Sequence, residues 1–467
     1  MKETTTLKRE LNLMDATLLV AGSMIGSGIF IVSADISRHI GSAGWLIVVW
    51  LIGAFMTLTA ALSYGELSGM YPKAGGQYVY LHEAYNPLIA FLYGWSLFAV
   101  IQTGTIAAVG VAFSKYLAYF LPFFSEDLKI FTIGSFSVSH AQAFSIAIIF
   151  ILTYINTKGI KGGKIVQFLF TSAKLIGILG LIVFGFVFYK SDVWSANWTD
   201  TWHIRSIDAN GVFGSYQGIA ATGGAIASAL VGAIIGYDAW NNVTFVAGEI
   251  NNPKKNIGLS LLLGTVTVTI LYVGINIMFT SVLPLQQIAN TPKDRIGIAA
   301  SQVIFGSAGT SIVAIIILIA TFGCNNGLIL SGARVYYTMA KDKLFFKKVG
   351  TLNKHSVPEI ALWLQFIVAA ILSLSGKYGN LLDMISFVVV IFYILTIAGI
   401  IVLRKTQPNI ERPYKAFGYP FLPIIYIIMG IAFCGLLIVY KPQFTWPGLI
   451  ITLIGVPLYY INKRSHG

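Results

Sequence analysis

Charge is what this sequence lacks. Of its 467 residues only 10% are Asp, Glu, Lys or Arg, against 56% hydrophobic. A water-soluble chain of that length could not cover its surface with so few charges, so composition alone indicates a protein that crosses a membrane many times. Cysteine is almost absent. Cys324 and Cys434 both fall inside apolar stretches, which excludes a disulfide framework and reads as two buried small hydrophobes. The six histidines lie in or near loops, and neither an HExxH pattern, nor paired intramembrane carboxylates, nor a Ser/His arrangement occurs. That leaves an intramembrane enzyme without chemistry, and no metal or cofactor is expected. No polar segment is long enough to fold as a soluble catalytic domain. Alternating apolar and polar runs of ten residues are missing, which argues against a β-barrel.

What is present is a series of apolar stretches of about 20 residues, the length that crosses a hydrocarbon core as a helix. The hydropathy pattern predicts an all-α integral membrane protein with twelve transmembrane helices, near 14–36, 44–68, 86–113, 141–157, 165–189, 222–248, 257–283, 308–335, 359–375, 382–403, 420–440 and 445–462. The first run follows the charged MKETTTLKRELN and has no small-residue cleavage site after it, so it reads as a retained span. With the N-terminus inside, 21 of the 31 Lys and Arg residues fall on the inner side, nine on the outer side, and Lys174 inside a span. The positive-inside rule therefore places both termini in the cytoplasm, with the plasma (inner) membrane as the expected location. The formal charge of +13 follows from this distribution and not from nucleic-acid binding. The loop near 190–221 carries Trp194, Trp198 and Trp202, spaced as an interfacial helix or as an ordinary aromatic loop.

The first span contains GSMIGSG from Gly22 and the sixth contains GAIIGYD from Gly232, an offset of 210 residues. Two units, about 14–189 and 222–403, follow from this echo, with extra helices at about 420–462. Five spans per unit is odd, so the second unit begins on the opposite side of the membrane, which makes an inverted repeat. Gly22 and Gly26 form GxxxG and could serve only to pack two helices closely. That reading leaves Ser27 and Gly28 unexplained. The alternative is a helix that unwinds around Ile25 to Ser27, with the backbone at Gly26, Ser27 and Gly28 offering amides to a carboxylate. The Met24, Ile235 and Asp238 carbonyls would accept from an ammonium. An α-amino acid carries both groups on one carbon.

Lys174, in FTSAKL, lies more than two turns from either end of its predicted span. It could be a fixed charge in the place of a sodium ion, or a titrating group, since burial disfavours the charged form. Snorkelling to the surface is the remaining possibility. Asp238, in IIGYDAWNN, could bind a ligand, pair with Lys174 or cap a broken helix. Asn241 is the best side-chain ligand among its neighbours. Tyr237 is a gating candidate, and Trp240 reads as packing. Glu66 could join an inner gate, with a solvated face as the plainer reading.

GSMIGSGIF, YGELSGMYPKAGGQYVYL, FTSAKL and YDAWNNVTFVAGEINNPKKN together resemble the amino acid–polyamine–organocation superfamily, and RKTQPNIERPYKAFGYPFLP resembles its L-type amino acid transporter branch. The resemblance implies a LeuT-like 5+5 inverted repeat with two additional C-terminal helices and alternating access. It implies substrate contacts at Gly26, Ser27, Gly28, Met24, Ile235 and Asp238, with Asn241 lining the site. Lys174 matches the lysine that takes the place of sodium in this branch. Ile235 stands where relatives for large substrates carry an aromatic gate, and Asp238 where several have glycine. Animal relatives bond an accessory subunit through a cysteine between spans three and four; residues 114–140 contain none, so no disulfide-linked accessory subunit is expected. The expected function is sodium-independent exchange of neutral L-amino acids, with proton-coupled symport as the alternative. A sensor that binds without transport is the alternative of another class. A channel is disfavoured because intramembrane charge is confined to a few positions.

Overall fold

In the computed structural model, residues 7–134, 136–375 and 378–466 are described. Lys2 and Lys377, counted above in the charge balance, lie outside them. The chain begins with α1 (Leu13–Met24), α2 (Val32–Ile40), α3 (Ala43–Met70), α4 (Gln77–Ala84), α5 (Pro87–Leu117), α6 (His140–Thr157) and α7 (Ile160–Val187). The short α8 (Ser191–Trp198) leads to α9 (Gly218–Gly236), α10 (Asn242–Phe245) and α11 (Pro253–Val282). The chain continues through α12 (Ile296–Lys341), α13 (Glu359–Ser375), α14 (Tyr378–Thr406), α15 (Phe421–Tyr440) and α16 (Pro442–His466).

Ten helices among the described residues are long and apolar enough to cross a membrane. Two of the anticipated spans are weaker. The ninth is a shorter apolar helix, Glu359–Leu374. The twelfth coincides with α16, which holds Pro447 and Pro457. The apolar helix at Ile296–Ser307, read from sequence as loop, precedes the eighth span, and Gly306 at φ +70° turns the chain between them. The fold is not purely helical. Two small antiparallel hairpins, Lys129–Ile133 with Phe136–Ser139 and Arg205–Ile207 with Phe213–Ser215, sit in connections. Their strands are too short to show as alternation in a hydropathy scan. In the aromatic loop, α8 stacks Trp194 on Trp198 at 4.7 Å between ring centroids, while Trp202 lies beyond the helix and is exposed.

The distribution of side chains is that of a chain solvated by hydrocarbon. Ile176 and Val187 on α7, and Phe421 and Ile428 on α15, point outward, whereas Ser33, Thr171, Asn276 and Asn326 are buried. An apolar exterior of this extent has no counterpart on a water-soluble monomer. Helix α11 packs along both α1 and α3, and α12 packs along α7. The two interrupted helices meet where α2 packs on α9.

Candidate functional site

The capping box of Asn12 and Asp15 starts α1, and the helix stops at Met24 because Ile25 turns extended (φ −79°, ψ +93°). The last carbonyls of any helix lack intrahelical donors and carry its negative dipole end. Here donors come from other helices. The Lys174 Nζ donates to the carbonyls of Gly22 at 2.5 Å and Ile25 at 2.6 Å, and lies 3.5 Å from that of Ala320. Cys324 Sγ donates to the Ser23 carbonyl at 3.0 Å, and the Tyr272 hydroxyl to that of Met24 at 2.9 Å. Lys174 is 0% exposed, so it does not snorkel, and it donates to backbone carbonyls and not to Asp238. The Met24 carbonyl, read from sequence as an acceptor for a ligand ammonium, is occupied by Tyr272 in this conformation.

The glycines of the first break divide between two purposes. A Cβ on Gly22 would lie 1.9 Å from Gln167 Nε2, so this residue serves close packing of α1 on α7. One on Gly26 would lie 2.9 Å from Cys324 Sγ, and one on Gly28 3.5 Å from the Gly236 Cα. The two breaks therefore touch backbone to backbone. Ser27 and Gly28 lead into a 3-10 turn, Gly28–Phe30, before α2.

The second break is offset from the first. The echo aligns Met24 with Ile234, yet α9 runs on to Gly236. The Ile235 carbonyl accepts from the amide of Asp238 at 3.1 Å. Ala239 then adopts φ +66°, a left-handed conformation that costs a residue with a Cβ, and α10 resumes at Asn242. Asp238 accepts from the Tyr393 hydroxyl at 2.6 Å. The same hydroxyl is 3.4 Å from Asn241 Oδ1, Asn241 Nδ2 donates to Gln77 Oε1 at 2.9 Å, and Gln77 Nε2 donates to Thr396 at 3.0 Å. Tyr237 is packed edge-on against Trp50 and tilted against Tyr272, and Trp240 against Tyr64.

A cavity of about 20 Å³ opens among Asp238, Asn241, Gln77, Gln102, Thr105 and Tyr393. That volume suits one water and is far too small for an amino acid. The backbone cradle of the first break and Lys174 adjoin this region and do not line it.

Glu66 overturns the solvated-face reading. It is 0% exposed, and Arg404 binds both its oxygens at 2.9 and 2.7 Å. The amide of Ala416 donates to it at 2.6 Å, and Arg412 lies 3.4 Å away. A second buried pair was hidden in the sequence. Arg334, counted among loop charges, lies inside α12 and binds Glu249, just past the second break, at 2.8 and 3.3 Å. Tyr272, Gln77 and Tyr393 also escaped sequence reasoning. Their partners are 155 to 319 positions away, and single tyrosines or glutamines in apolar runs give no local signal.

Long apolar helices, an outward hydrocarbon surface and two interrupted helices in contact, the second beside a small polar cavity, describe the class of multi-pass membrane transporters. A family model described as Amino acid permease matches residues 11–459. The chain belongs to that family, in the L-type-like branch of the amino acid–polyamine–organocation superfamily. It is 30% identical over 461 residues to the serine/threonine exchanger SteT of Bacillus subtilis (strain 168), covering 98% of each chain. It is 29% identical to the b(0,+)-type amino acid transporter 1 of Oryctolagus cuniculus, over 88% of this chain and 80% of that protein. Against the human large neutral amino acids transporter small subunit 2 the identity is 27%, over 98% of this chain and 81% of that protein.

Proposed function

We propose that this protein exchanges neutral L-amino acids across the plasma (inner) membrane without sodium, through a twelve-span, 5+5 inverted-repeat fold working by alternating access. The observation that carries this reading is the ammonium of Lys174 on the broken end of α1. A sodium ion at such a break would be held by carbonyl oxygens, and Lys174 already engages those of Gly22 and Ile25. The positive charge that favours the broken form is built into the chain, so no ion has to bind first.

In this reading the substrate carboxylate meets the backbone at Gly26, Ser27 and Gly28, and its ammonium meets the Met24, Ile235 and Asp238 carbonyls. Asn241 lines the side-chain end. Lys174, Tyr237 and Glu66 take coupling or gating roles. Tyr272 would release the Met24 carbonyl as substrate enters, and the cavity would widen as spans one and six rock against the remaining helices. The similarity to a serine/threonine exchanger and to a large neutral amino acids transporter subunit supports the substrate class. Both termini lie in the cytoplasm, and the protein works without a disulfide-linked accessory subunit.

One observation favours the proton-coupled alternative: the buried Lys174 ammonium faces the neutral carbonyls of Gly22, Ile25 and Ala320. Proteoliposomes separate the two. Radiolabelled alanine uptake is followed into vesicles loaded with alanine, serine, leucine or arginine, with and without sodium and a pH gradient. Exchange predicts uptake that needs an internal amino acid and neither gradient. Uptake into empty vesicles driven by external acid would replace it with symport. Binding without uptake would leave a sensor.

A further inference from the structure

A second polar cavity, of about 220 Å³, lies on the face that the charge balance assigns to the cytoplasm, and none of residues 22–28 or 237–241 lines it. Three segments wall it. The lead into α1 contributes Lys8 and Glu10, the α6–α7 turn Lys158, and the α12–α13 connection Lys354 and His355. Glu249 also borders it, but its charge is matched by buried Arg334. Three lysines therefore border it against one unmatched carboxylate, Glu10. Among the described residues none of the three forms an ion pair, whereas Lys115, Lys164, Lys254 and Lys293 do. Gathering like charges around a concavity costs energy that an anion recovers.

The walls are held in place. Lys158 stands 4.4 Å over the Tyr154 ring. Asn353 Nδ2 donates to the Thr157 carbonyl at 2.8 Å, tying the α12–α13 connection to the end of α6. The amides of Glu10 and Leu11 both donate to the Glu249 carbonyl, at 2.9 and 3.0 Å, which fixes the third wall to the segment beyond the second break. The cavity thus joins parts that belong to different helices and is bordered by lysines from three separate segments. A carboxylate offers two oxygens in one plane. A phosphate group offers three oxygens in three directions and close to two negative charges, which matches this arrangement better.

We infer that this cavity binds a phosphate group, from a soluble phosphorylated compound or from an anionic lipid headgroup. A bound phosphate would pin the lead of α1 to the α6–α7 turn. The test uses the full chain in phosphatidylcholine nanodiscs and reads the thermal unfolding midpoint, which does not depend on transport. One arm titrates sodium pyrophosphate against sodium chloride at equal ionic strength. The other replaces part of the lipid with phosphatidic acid and omits free phosphate. Lys158→Gln/Lys354→Gln is compared with Lys347→Gln/Lys348→Gln, a charge-matched pair of exposed lysines on the same face and outside the cavity. The inference expects a saturable rise in at least one arm for the wild type and the control pair. It expects an apparent affinity weakened about tenfold or more in Lys158→Gln/Lys354→Gln. The arm that responds identifies the source of the phosphate. No rise in either arm, or an equal rise in the Lys158/Lys354 variant, overturns it.

Discussion

Lys174 joins two requirements in one side chain. Its ammonium satisfies carbonyls that the end of α1 cannot satisfy itself, and its charge opposes the helix dipole there. Lys174→Met keeps most of the hydrocarbon and removes the donor. Each buried carbonyl left unpaired costs about 1–3 kcal/mol. The variant is therefore expected to melt at lower temperature in detergent and to lose at least about tenfold in exchange. A variant that keeps wild-type melting and exchange would deny Lys174 this role. Tyr393 is a milder case. Tyr393→Phe takes one hydrogen bond from Asp238, worth about 0.5–1.5 kcal/mol net. Substrate affinity, read by competition with radiolabelled alanine, should fall by up to about tenfold while folding is retained. Unchanged affinity would show that the Tyr393–Asp238 side-chain bond plays no part in substrate binding.

At the scale of elements, the two breaks were legible for different reasons and to different depths. Glycine and serine in the middle of an apolar run marked the first break, because neither stabilises a helix and both allow close approach. The echo at Gly232 located the second only roughly. It predicts equivalent positions, whereas α9 continues past its counterpart in α1 and the chain leaves the helix at Tyr237–Asn241. Ala239, with its left-handed φ, lacks the glycine that would have announced the turn. Gly26 tests whether close approach or backbone freedom matters there. Gly26→Ala places a methyl 2.9 Å from Cys324 Sγ and should impair exchange strongly. Adding Cys324→Ala removes that sulfur and should restore part of the loss. No recovery would assign the glycine to backbone conformation or ligand approach. The long helices were legible because hydropathy is local. The ion pairs were not, because Glu66 and Arg404 are 338 positions apart and Glu249 and Arg334 are 85 apart. Removing one partner of a buried pair costs about 3–5 kcal/mol, mainly by stranding the other charge. Glu249→Gln and Arg334→Leu should each destabilise the protein, and the double variant should lose less than their sum. Additive losses in a double-mutant cycle would mean that the pair is not coupled.

For the whole molecule, the structure is closed around its centre. The cavity at Asp238 holds no more than a water, Tyr272 covers the Met24 carbonyl, and Arg334 with Glu249 joins α12 to the segment beyond the second break. In the proposed exchange, substrate would act by favouring conformations in which the breaks part. Sodium-independent exchange as proposed requires the Lys174 cation to stay fixed. The most direct measurement follows the pH inside proteoliposomes with a trapped dye during alanine exchange, with sodium absent and an ionophore clamping the voltage. The account predicts radiolabel entering alanine-loaded vesicles with no change in internal pH. Acidification that accompanies alanine entry, and vanishes in Lys174→Ala, would contradict it and make Lys174 the carrier of a transported proton.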